Sequence, residues 1–278
     1  MNMNKNIEKK LSGYIIKWIL IVLVFLAVSC SLMWTSKSFF SAFFKNSTFE
    51  VHFIDVGQAD ATLVVCDGKA MLIDGGNPED SDLLYAYLKK HGINHLTYVI
   101  GTHVHDDHIG GLAGALNYAS VDTAYCPVTS YDTKAFRNFV KALDKHSVSI
   151  TVPCTGDTFM LGSSECTILA VNTDSSNPNN SSIVLRIVYG DTPFLFAADA
   201  ECEVEQAILD RGLDINSTVL KVGHHGSDTS TGYVWLREIM PQYAVISVGE
   251  SNSYGHPSDA VLSRLRDAEV TTYRTDLQ

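Results

Sequence analysis

The sequence predicts an α/β fold built from two similar halves. Short apolar runs rich in β-branched residues, such as Leu96–Ile100 and Thr218–Val222, are typical of buried strands. Segments with apolar residues at helical spacing, such as Asp80–Lys90, alternate with these strands. In both halves a strand is followed by glycine and then histidine, at Gly101-Thr102-His103 and at Gly223-His224. The repetition predicts two related sheets with polar side chains at the carboxyl ends of their strands.

The elements of the predicted domain follow one another with short turns between them. Gly57-Gln58-Ala59-Asp60 predicts a hairpin, His91-Gly92 ends a helix, and the Asn- and Ser-rich segment Asn172–Ser182 predicts a loop. The predicted strands are Phe49–Val56, Ala61–Cys66, Lys69–Ile73, Leu96–Ile100, Val121–Cys126, Val148–Val152, Thr158–Leu161, Glu165–Val171, Ile183–Tyr189, Pro193–Ala197, Thr218–Val222, Tyr243–Val248 and Val270–Tyr273. The predicted helices are Asp80–Lys90, Leu112–Tyr118, Thr133–His146, Cys202–Arg211, Tyr233–Met240 and Ser258–Ala268.

An apolar N-terminal segment precedes this domain and is predicted to be one transmembrane helix. Residues 14–34 contain a run of about 20 apolar residues, which is long enough to cross a bilayer. Trp18 and Trp34 lie where interfacial aromatic residues occur. Lysines near the start of the chain predict that the N-terminus lies inside the cell and the folded domain outside it. Residues 1–48 are therefore predicted to form a cytoplasmic N-terminal tip, a membrane anchor and a short stalk, and residues 49–278 are predicted to form the folded domain.

Cleavage is the alternative fate of this segment. Ala27-Val28-Ser29 is a tolerable signal-peptidase site, and with Cys30 it resembles a weak bacterial lipoprotein box. Apolar residues continue beyond Cys30 as far as Phe44, which favours an uncleaved anchor over a secreted protein or a lipoprotein.

The charge and cysteine content limit the class of protein. Six of the 20 basic residues and one of the 31 acidic residues lie in the first 48 positions, so residues 49–278 carry a net charge of −16. Such a domain is a poor non-specific binder of polyanions, because phosphate binding normally rests on Lys and Arg. The six cysteines include no C-x-x-C pair, which argues against a thiolate zinc site. Buried free thiols are expected, with one disulfide as the alternative outside the cytosol.

The chemistry concentrates in the stretch from Thr102 to Gly111. His103 and His105 are two positions apart on an extended segment, so their imidazoles face the same way and suit one divalent metal. Asp107 and His108 follow where the chain turns into a helix, so they face elsewhere and suit a second metal nearby.

The HxHxDH motif of this stretch resembles that of the metallo-β-lactamase superfamily. Further motifs make the domain similar to the hydrolase domain of ComEC-type competence proteins and to choline-phosphate esterases of cell-wall teichoic acid. The resemblance covers about residues 49–276 and implies a four-layer αββα sandwich that holds two divalent ions, Zn²⁺ or Mn²⁺, and no nucleotide cofactor. The motifs are His52–Asp60, Ile73–Gly76, Leu220–Ser227 and Gly255–Pro257.

The resemblance also implies a role for individual residues. Asp199 is the acid expected to bridge both metals, and Asp107, His108 and His225 complete the second metal site. His224 is expected to contact substrate or pass a proton, and His256 to bind a substrate oxygen or act as an acid at the mouth of the site. The predicted metal ligands are thus His103, His105, Asp107, His108, Asp199 and His225. Catalytic roles are predicted for His224, His256 and Asp107. The remaining motif residues are expected to set turns or support the ligands: Asp55, Gln58, Asp60 and Asp74.

The sequence departs from the superfamily pattern at the first metal. Where a third histidine usually precedes the strand that leads to the bridging aspartate, this chain has Asn177–Ser182. The first site is therefore predicted to hold His103, His105 and Asp199 with water or the amide oxygen of Asn179 or Asn180. Such an oxygen-rich site makes Mn²⁺ plausible beside Zn²⁺.

Three functions are compatible with these observations. The favoured one is a bacterial, membrane-anchored phosphodiesterase or nuclease in which a metal-bridging hydroxide attacks phosphorus. The second applies the same chemistry to teichoic acid or another phosphoester, which suits the acidic domain better than DNA. The third is a non-catalytic component of a DNA-uptake or envelope assembly. The oligomeric state is left open.

Overall fold

Two β-sheets, each formed by a continuous part of the chain, make up the centre of the fold. The computed structural model describes residues 48–277. The strands of the first sheet are β1 (Phe49–Phe53), β2 (Thr62–Cys66), β3 (Lys69–Ile73), β4 (His95–Ile100), β5 (Ser120–Tyr125) and β6 (Ile150–Thr151). Those of the second sheet are β7 (Thr158–Leu161), β8 (Ser164–Ala170), β9 (Val184–Tyr189), β10 (Thr192–Phe196), β11 (Val219–Lys221), β12 (Tyr243–Ile246) and β13 (Thr271–Arg274).

Both sheets change from antiparallel to parallel pairing along the chain. The first has the order β1-β2-β3-β4-β5-β6, and the second β13-β12-β11-β10-β9-β8-β7. Pairing is antiparallel from β1 to β3 and from β7 to β10. It is parallel from β3 to β6 and from β10 to β13, with Leu72 opposite Val99 and Leu195 opposite Leu220. The parallel strands bring their carboxyl ends together, and the loops that leave those ends carry the polar residues.

Helices connect the parallel strands and cover the outer faces of the sheets. Thr133 and Ser258 begin two of them by accepting a hydrogen bond from a backbone N–H of the first turn. The helices are α1 (Ser81–Lys90), α2 (Asp106–Ile109), α3 (Leu112–Tyr118), α4 (Lys134–Asp144), α5 (Cys202–Asp210), α6 (Tyr233–Ile239) and α7 (Asp259–Asp267).

Three hydrophobic cores hold these layers together. Strand side chains alternate between faces, so in β3 Met71 points into the core between the sheets and Leu72 into the core under helices α1–α4. Leu220 of β11 packs beneath α5–α7 with Trp235. Because apolar layers cover both faces of each sheet, the strands need apolar residues at nearly every position. The result is a sequence of helices, sheet, sheet and helices.

Most predicted elements agree with the structure to within a few residues. β3 and α3 match their predicted bounds residue for residue, and every predicted strand and helix is present. The short helix α2 lies where the chain was expected to turn into a helix at Asp107 and His108, but its bounds were not predicted. The predicted transmembrane helix at residues 14–34 lies outside the described residues. Within residues 48–277, no helix combines the length and apolar character needed to span a bilayer.

The cysteines correct one expectation. Cys66, Cys126 and Cys166 are buried and free, as predicted, but Cys154 and Cys202 are exposed and equally free. Burial raises the pKa of Cys126 and of Cys166 to about 12, which suppresses the reactive thiolate.

We therefore expect a thiol reagent to label Cys154 and Cys202 in the native protein and to spare the three buried thiols until the chain unfolds. Peptide mapping after labelling with and without urea measures this difference. Rapid native labelling of Cys126 would show that its surroundings are open to solvent.

Candidate metal centre

A cluster of His and Asp side chains lies where parallel strands of both sheets end. His103, His105 and His108 follow β4, and both His103 and His108 are fully buried. Asp199 follows β10 and His225 follows β11 in the second sheet. The cluster thus draws on both halves of the molecule, which explains why the polar motifs recur after equivalent strands.

One set of ligand atoms comes from Asp107, His108, Asp199 and His225. Their nearest ligand atoms all lie within 4.8 Å of one another. His108 Nε2 is 3.2 Å from Asp199 Oδ1, and His225 Nε2 is 3.4 Å from Asp107 Oδ2 and 3.7 Å from Asp199 Oδ1. These separations suit donors that surround one divalent ion, since ligand bonds of about 2.0–2.2 Å place neighbouring donors roughly 3–4 Å apart.

A second set comes from His103, His105 and Asp199, whose ligand atoms also lie within 4.8 Å of one another. His103 Nε2 is 3.0 Å from His105 Nδ1 and 3.7 Å from Asp199 Oδ2. Asp199 therefore offers Oδ2 to this set and Oδ1 to the other. A carboxylate placed in this way can bridge two ions.

The hydrogen bonding of these residues fits a metal centre. His108 Nε2, His225 Nε2 and Asp199 Oδ1 are buried and have no hydrogen-bond partner in the described part of the chain. Buried polar atoms are normally paired, and leaving one unpaired costs about 1–3 kcal/mol. Three such atoms converge here, and all of them are good donors to Zn²⁺ or a similar ion. The residues present therefore fit the divalent ions that the fold accommodates.

Thr102 and Asp74 orient two of the histidines. The Asp74 carboxylate accepts hydrogen bonds from Thr102 N (2.8 Å), from Thr102 Oγ1 (2.7 Å) and from His108 Nδ1 (2.8 Å). The Thr102 hydroxyl, having donated its proton, can accept from His103 Nδ1 at 3.3 Å. Both rings can thereby carry hydrogen on Nδ1 and direct Nε2 toward Asp199, so that Nε2 is the atom available to an ion.

His225 is held by groups from other strands. Its Nδ1 donates to the Ser247 carbonyl at 3.0 Å and lies 3.6 Å from Asp60 Oδ1. The buried Lys221 donates to Asp60 Oδ2 at 2.9 Å and to the Val222 carbonyl at 3.2 Å. The ligand atoms of Asp60, Asp74 and His108 form a third close set. Because the Asp60 carboxylate is engaged with Lys221, we interpret Asp60 and Asp74 as supports for the metal ligands.

The aspartates and histidines of the cluster stabilise opposite charges on one another. Burial raises the pKa of Asp199, but the neighbouring His108 and His225 outweigh burial and hold it well below the ordinary value. Burial lowers the pKa of His108, yet Asp199 and Asp74 raise it well above the ordinary value. The pKa of His225 is raised against burial by Asp199 and Asp60. Without an ion, the Asp199 carboxylate is therefore stabilised in its ionised form and favours protons on these two imidazoles.

A cleft of about 580 Å³ opens onto the cluster. His224 and His256 line it, with ring centroids 5.7 Å apart. Tyr254, which is 72% exposed, stacks on His256 at the rim with a centroid separation of 5.7 Å. The residues described as lining the cleft include no Lys or Arg. An anion that enters must therefore find its positive partners in bound ions or protonated histidines.

The structure brings the predicted site residues together. All six predicted ligands lie in the two sets, and the residues predicted as catalytic line the cleft. Of the two amides predicted as possible ligands, Asn180 is engaged elsewhere: its Oδ1 accepts from Glu201 N at 3.1 Å, and its Nδ2 donates to Glu203. Asn179 Oδ1 is buried and has no hydrogen-bond partner among the described residues. Sequence reasoning missed the supporting roles of Thr102 and Lys221, since neither has a distinctive spacing to its partner.

Comparison with known proteins agrees with this geometry. The family model of the Metallo-beta-lactamase superfamily matches residues 54–250. ComE operon protein 3 of Bacillus subtilis (strain 168) is 30% identical over 246 residues, which is 82% of this chain and 32% of that protein. Recombination protein 2 of Haemophilus influenzae is 34% identical over 226 residues, or 78% of this chain and 26% of that protein. The chain thus spans about a third or less of the curated relatives it matches.

Solved structures show the same fold at low sequence identity. The metallo-beta-lactamase fold protein YhfI from Bacillus subtilis has a TM-score of 0.54 and 13% identity, over 81% of this chain and 95% of that one. CmlA, a diiron beta-hydroxylase from Streptomyces venezuelae, has a TM-score of 0.54 and 16% identity, over 82% of this chain and 53% of that one.

Proposed function

Because the chain belongs to the metallo-β-lactamase superfamily, we propose that it is a hydrolase that uses two divalent ions to cleave phosphodiesters. One observation carries the proposal: Asp199 directs one oxygen to His108 and His225 and the other to His103. The similarity to competence-related proteins supports a phosphodiester substrate, with DNA among the candidates.

The residues divide naturally between two ions, Zn²⁺ or Mn²⁺. Asp107, His108, Asp199 and His225 would hold one, and His103, His105 and Asp199 the other. Ions held there supply Lewis acidity toward a phosphoryl oxygen and lower the pKa of water.

The support residues keep the ligands ready before substrate arrives. Asp74 and the Ser247 carbonyl each accept a hydrogen bond from Nδ1 of a histidine, so that His108 and His225 present Nε2 without reorienting. Such partners typically contribute 10- to 100-fold in metal affinity or activity. Fixed donors also lower the reorganisation needed when charge develops on the substrate.

His256 is placed to bind a substrate oxygen. The side-chain oxygen Oε1 of Gln58 accepts from Gly249 N at 3.1 Å, which turns the side-chain nitrogen Nε2 toward His256 Nδ1 at 3.4 Å. This contact leaves hydrogen on Nε2. Burial, together with His224 and His225, lowers the pKa of His256, so the ring is neutral at neutral pH. It would therefore donate one N–H to substrate rather than act as a cationic acid.

A phosphoester of a wall polymer or of choline is the second candidate substrate. The absence of Lys and Arg among the described cleft residues, and the net charge of −16 in residues 49–278, favour it over long polyanions. The exposed Tyr254 offers an aromatic face to a cationic alcohol.

We further propose that residues 14–34 anchor the protein in a bacterial membrane with this domain outside the cell.

A substrate panel tests the proposed function. The chain, loaded with Mn²⁺ or Zn²⁺, is offered bis-p-nitrophenyl phosphate, single-stranded DNA, teichoic acid and a choline-phosphate ester. We expect metal-dependent cleavage of the phosphodiester, lost when His108 is replaced by alanine and retained with His95→Ala, whose exposed ring bonds Ser120 and Asp122. Metal-loaded protein that leaves every substrate intact would favour the non-catalytic role.

Metal affinity should rise with pH. The raised pKa values of His108 and His225 favour the protonated form of both rings when no ion is bound. An ion must displace those protons, so binding releases protons and weakens as the pH falls. Calorimetric Zn²⁺ titration near pH 7 in two buffers of different ionisation enthalpy should report about one or more protons released. Identical heats in both buffers, with affinity independent of pH, would contradict this distribution of charge among the ligands.

A further inference from the structure

The two sets of donors are unequal. Four residues surround one position, namely Asp107, His108, Asp199 and His225, whereas three, His103, His105 and Asp199, surround the other. Zn²⁺ sites in proteins are commonly four-coordinate, and a three-donor site binds more weakly unless another group completes it. The shortfall raises the question of which neighbouring side chain supplies the missing donor.

His224 lies on the side of Asp199 where a donor is lacking. Its Nε2 is 3.7 Å from Asp199 Oδ2, the same oxygen that lies 3.7 Å from His103 Nε2. The other oxygen, Oδ1, is the one near His108 and His225. The adjacent residues His224 and His225 therefore approach opposite oxygens of one carboxylate.

The backbone produces this divergence. His224 and His225 both have left-handed conformations, with φ of 51°, which is unfavourable for residues other than glycine by about 1–2 kcal/mol each. The turn splays the two rings, whose planes are 61° apart. His224 N also donates to the Ala198 carbonyl at 2.8 Å, which ties the turn to the segment carrying Asp199. Strain of this kind persists where the surroundings enforce it, often at functional sites.

The hydrogen bonds of His224 are consistent with a lone pair on Nε2 that a metal could use. Nδ1 is 3.1 Å from Thr229 Oγ1 and 3.7 Å from Glu201 Oε1, two groups able to accept its proton. Nε2 then carries a lone pair, which accepts from Asn179 Nδ2 at 3.4 Å. A histidine that binds a metal usually donates its other N–H to a carboxylate or similar group. The ring is 20% exposed, so it has room to turn.

We infer that His224 Nε2 is the fourth protein donor to the ion held by His103, His105 and Asp199, and that the Asn179 amide pairs with this nitrogen when no ion is bound. The inference rests on the proposed function, since it requires that this set binds an ion. Three imidazoles and one carboxylate favour Zn²⁺ over Mn²⁺ at this position. His224 would then be a ligand rather than the proton carrier expected from the sequence.

Zn²⁺ titration of the metal-free chain tests the inference without any substrate. A competing chromophoric chelator resolves the stronger and weaker binding steps. We expect His224→Ala to weaken one step at least tenfold and to leave the other within about threefold, as His103→Ala should do to the same step. His95→Ala is the matched control, because this exposed histidine pairs with Ser120 and Asp122 and has no contact with either donor set. Two steps of unchanged affinity in His224→Ala would overturn the inference and leave the proposed function intact.

The variant Asn179→Ala distinguishes Asn179 from His224 as the donor to this ion. We expect no loss of affinity, since the Asn179 amide nitrogen pairs with Glu201 Oε1 as well as with the imidazole and is not a donor to the ion in this inference. Loss of a binding step in Asn179→Ala, with none in His224→Ala, would assign the donor to the amide oxygen and overturn the inference.

A spectroscopic measurement on the unaltered chain avoids any variant that fails to fold. After loading with ¹¹³Cd²⁺, imidazole nitrogens that bind the ion show coupling to cadmium in long-range ¹H–¹⁵N spectra. Five coupled rings are expected: His103, His105, His108, His224 and His225. Four coupled rings, with His224 uncoupled, would refute the inference alone, whereas a chain that binds no cadmium or zinc would refute the proposed function as well.

Discussion

Replacing Asp199 with asparagine will remove both ions and reduce hydrolysis by about 1,000-fold or more. The carboxylate presents Oδ2 to His103 at 3.7 Å and Oδ1 to His108 at 3.2 Å, so both donor sets lose their shared charged member. Removing even one preorganised donor from an active site costs about 10²–10³ in kcat. Bound metal and kcat on bis-p-nitrophenyl phosphate, measured on the same preparation, check the expectation.

Asp144→Asn is the matched control for this variant. Asp144 is an exposed carboxylate at the end of α4, so its replacement should leave metal content and rate within experimental error. If Asp199→Asn kept its full complement of metal, the bridging role of the carboxylate would have to be abandoned. If it lost the metal and still hydrolysed the substrate, the reaction would not depend on this centre.

Replacing Lys221 with methionine will destabilise the domain by about 3–5 kcal/mol. Lys221 is 3% exposed and Asp60 is 4% exposed, and the ammonium donates to the carboxylate at 2.9 Å. Removing one partner leaves an uncompensated charge in a buried position, which carries a cost of this size. Urea unfolding of the metal-free chain measures it, and Zn²⁺ affinity should fall too, because Asp60 lies beside His225.

The double variant Lys221→Met with Asp60→Asn tests the reason for this loss. Once the carboxylate is neutral, no buried charge remains, so the double variant should be more stable than Lys221→Met alone. Lys141→Met serves as control, because this lysine is exposed on α4 and should change stability by no more than about 0.5 kcal/mol. A Lys221→Met protein as stable as the control would mean that the ion pair has no structural role.

The sequence was sufficient to predict most of the fold because local patterns determine it. Lys69–Ile73 is an apolar run between turns, and its bounds follow from those turns. Leu112–Tyr118 begins after a glycine pair, which marks its start equally well. The bounds of the four-residue helix Asp106–Ile109 could not be predicted, because its polar residues resemble a loop and it is too short for a periodic pattern.

Residue types and their spacing were sufficient to predict which residues form the candidate site. The HxHxDH stretch and the acid and histidine after later strands identified the cluster. The contact between Lys221 and Asp60 joins residues 161 positions apart, and no local pattern reveals it. The opposite directions of His224 and His225 follow from two left-handed residues, which the sequence marks only through flanking glycines. Such features depend on tertiary contacts and had to be seen in the structure.

The number of divalent ions bound per chain decides whether the cluster is a two-ion centre. Elemental analysis of the chain after loading with Zn²⁺ or Mn²⁺ and removal of free metal should give about two ions per molecule, with about none in Asp199→Asn. A value far below one in the unaltered chain, under conditions where it remains folded and metal is in excess, would contradict a two-ion centre.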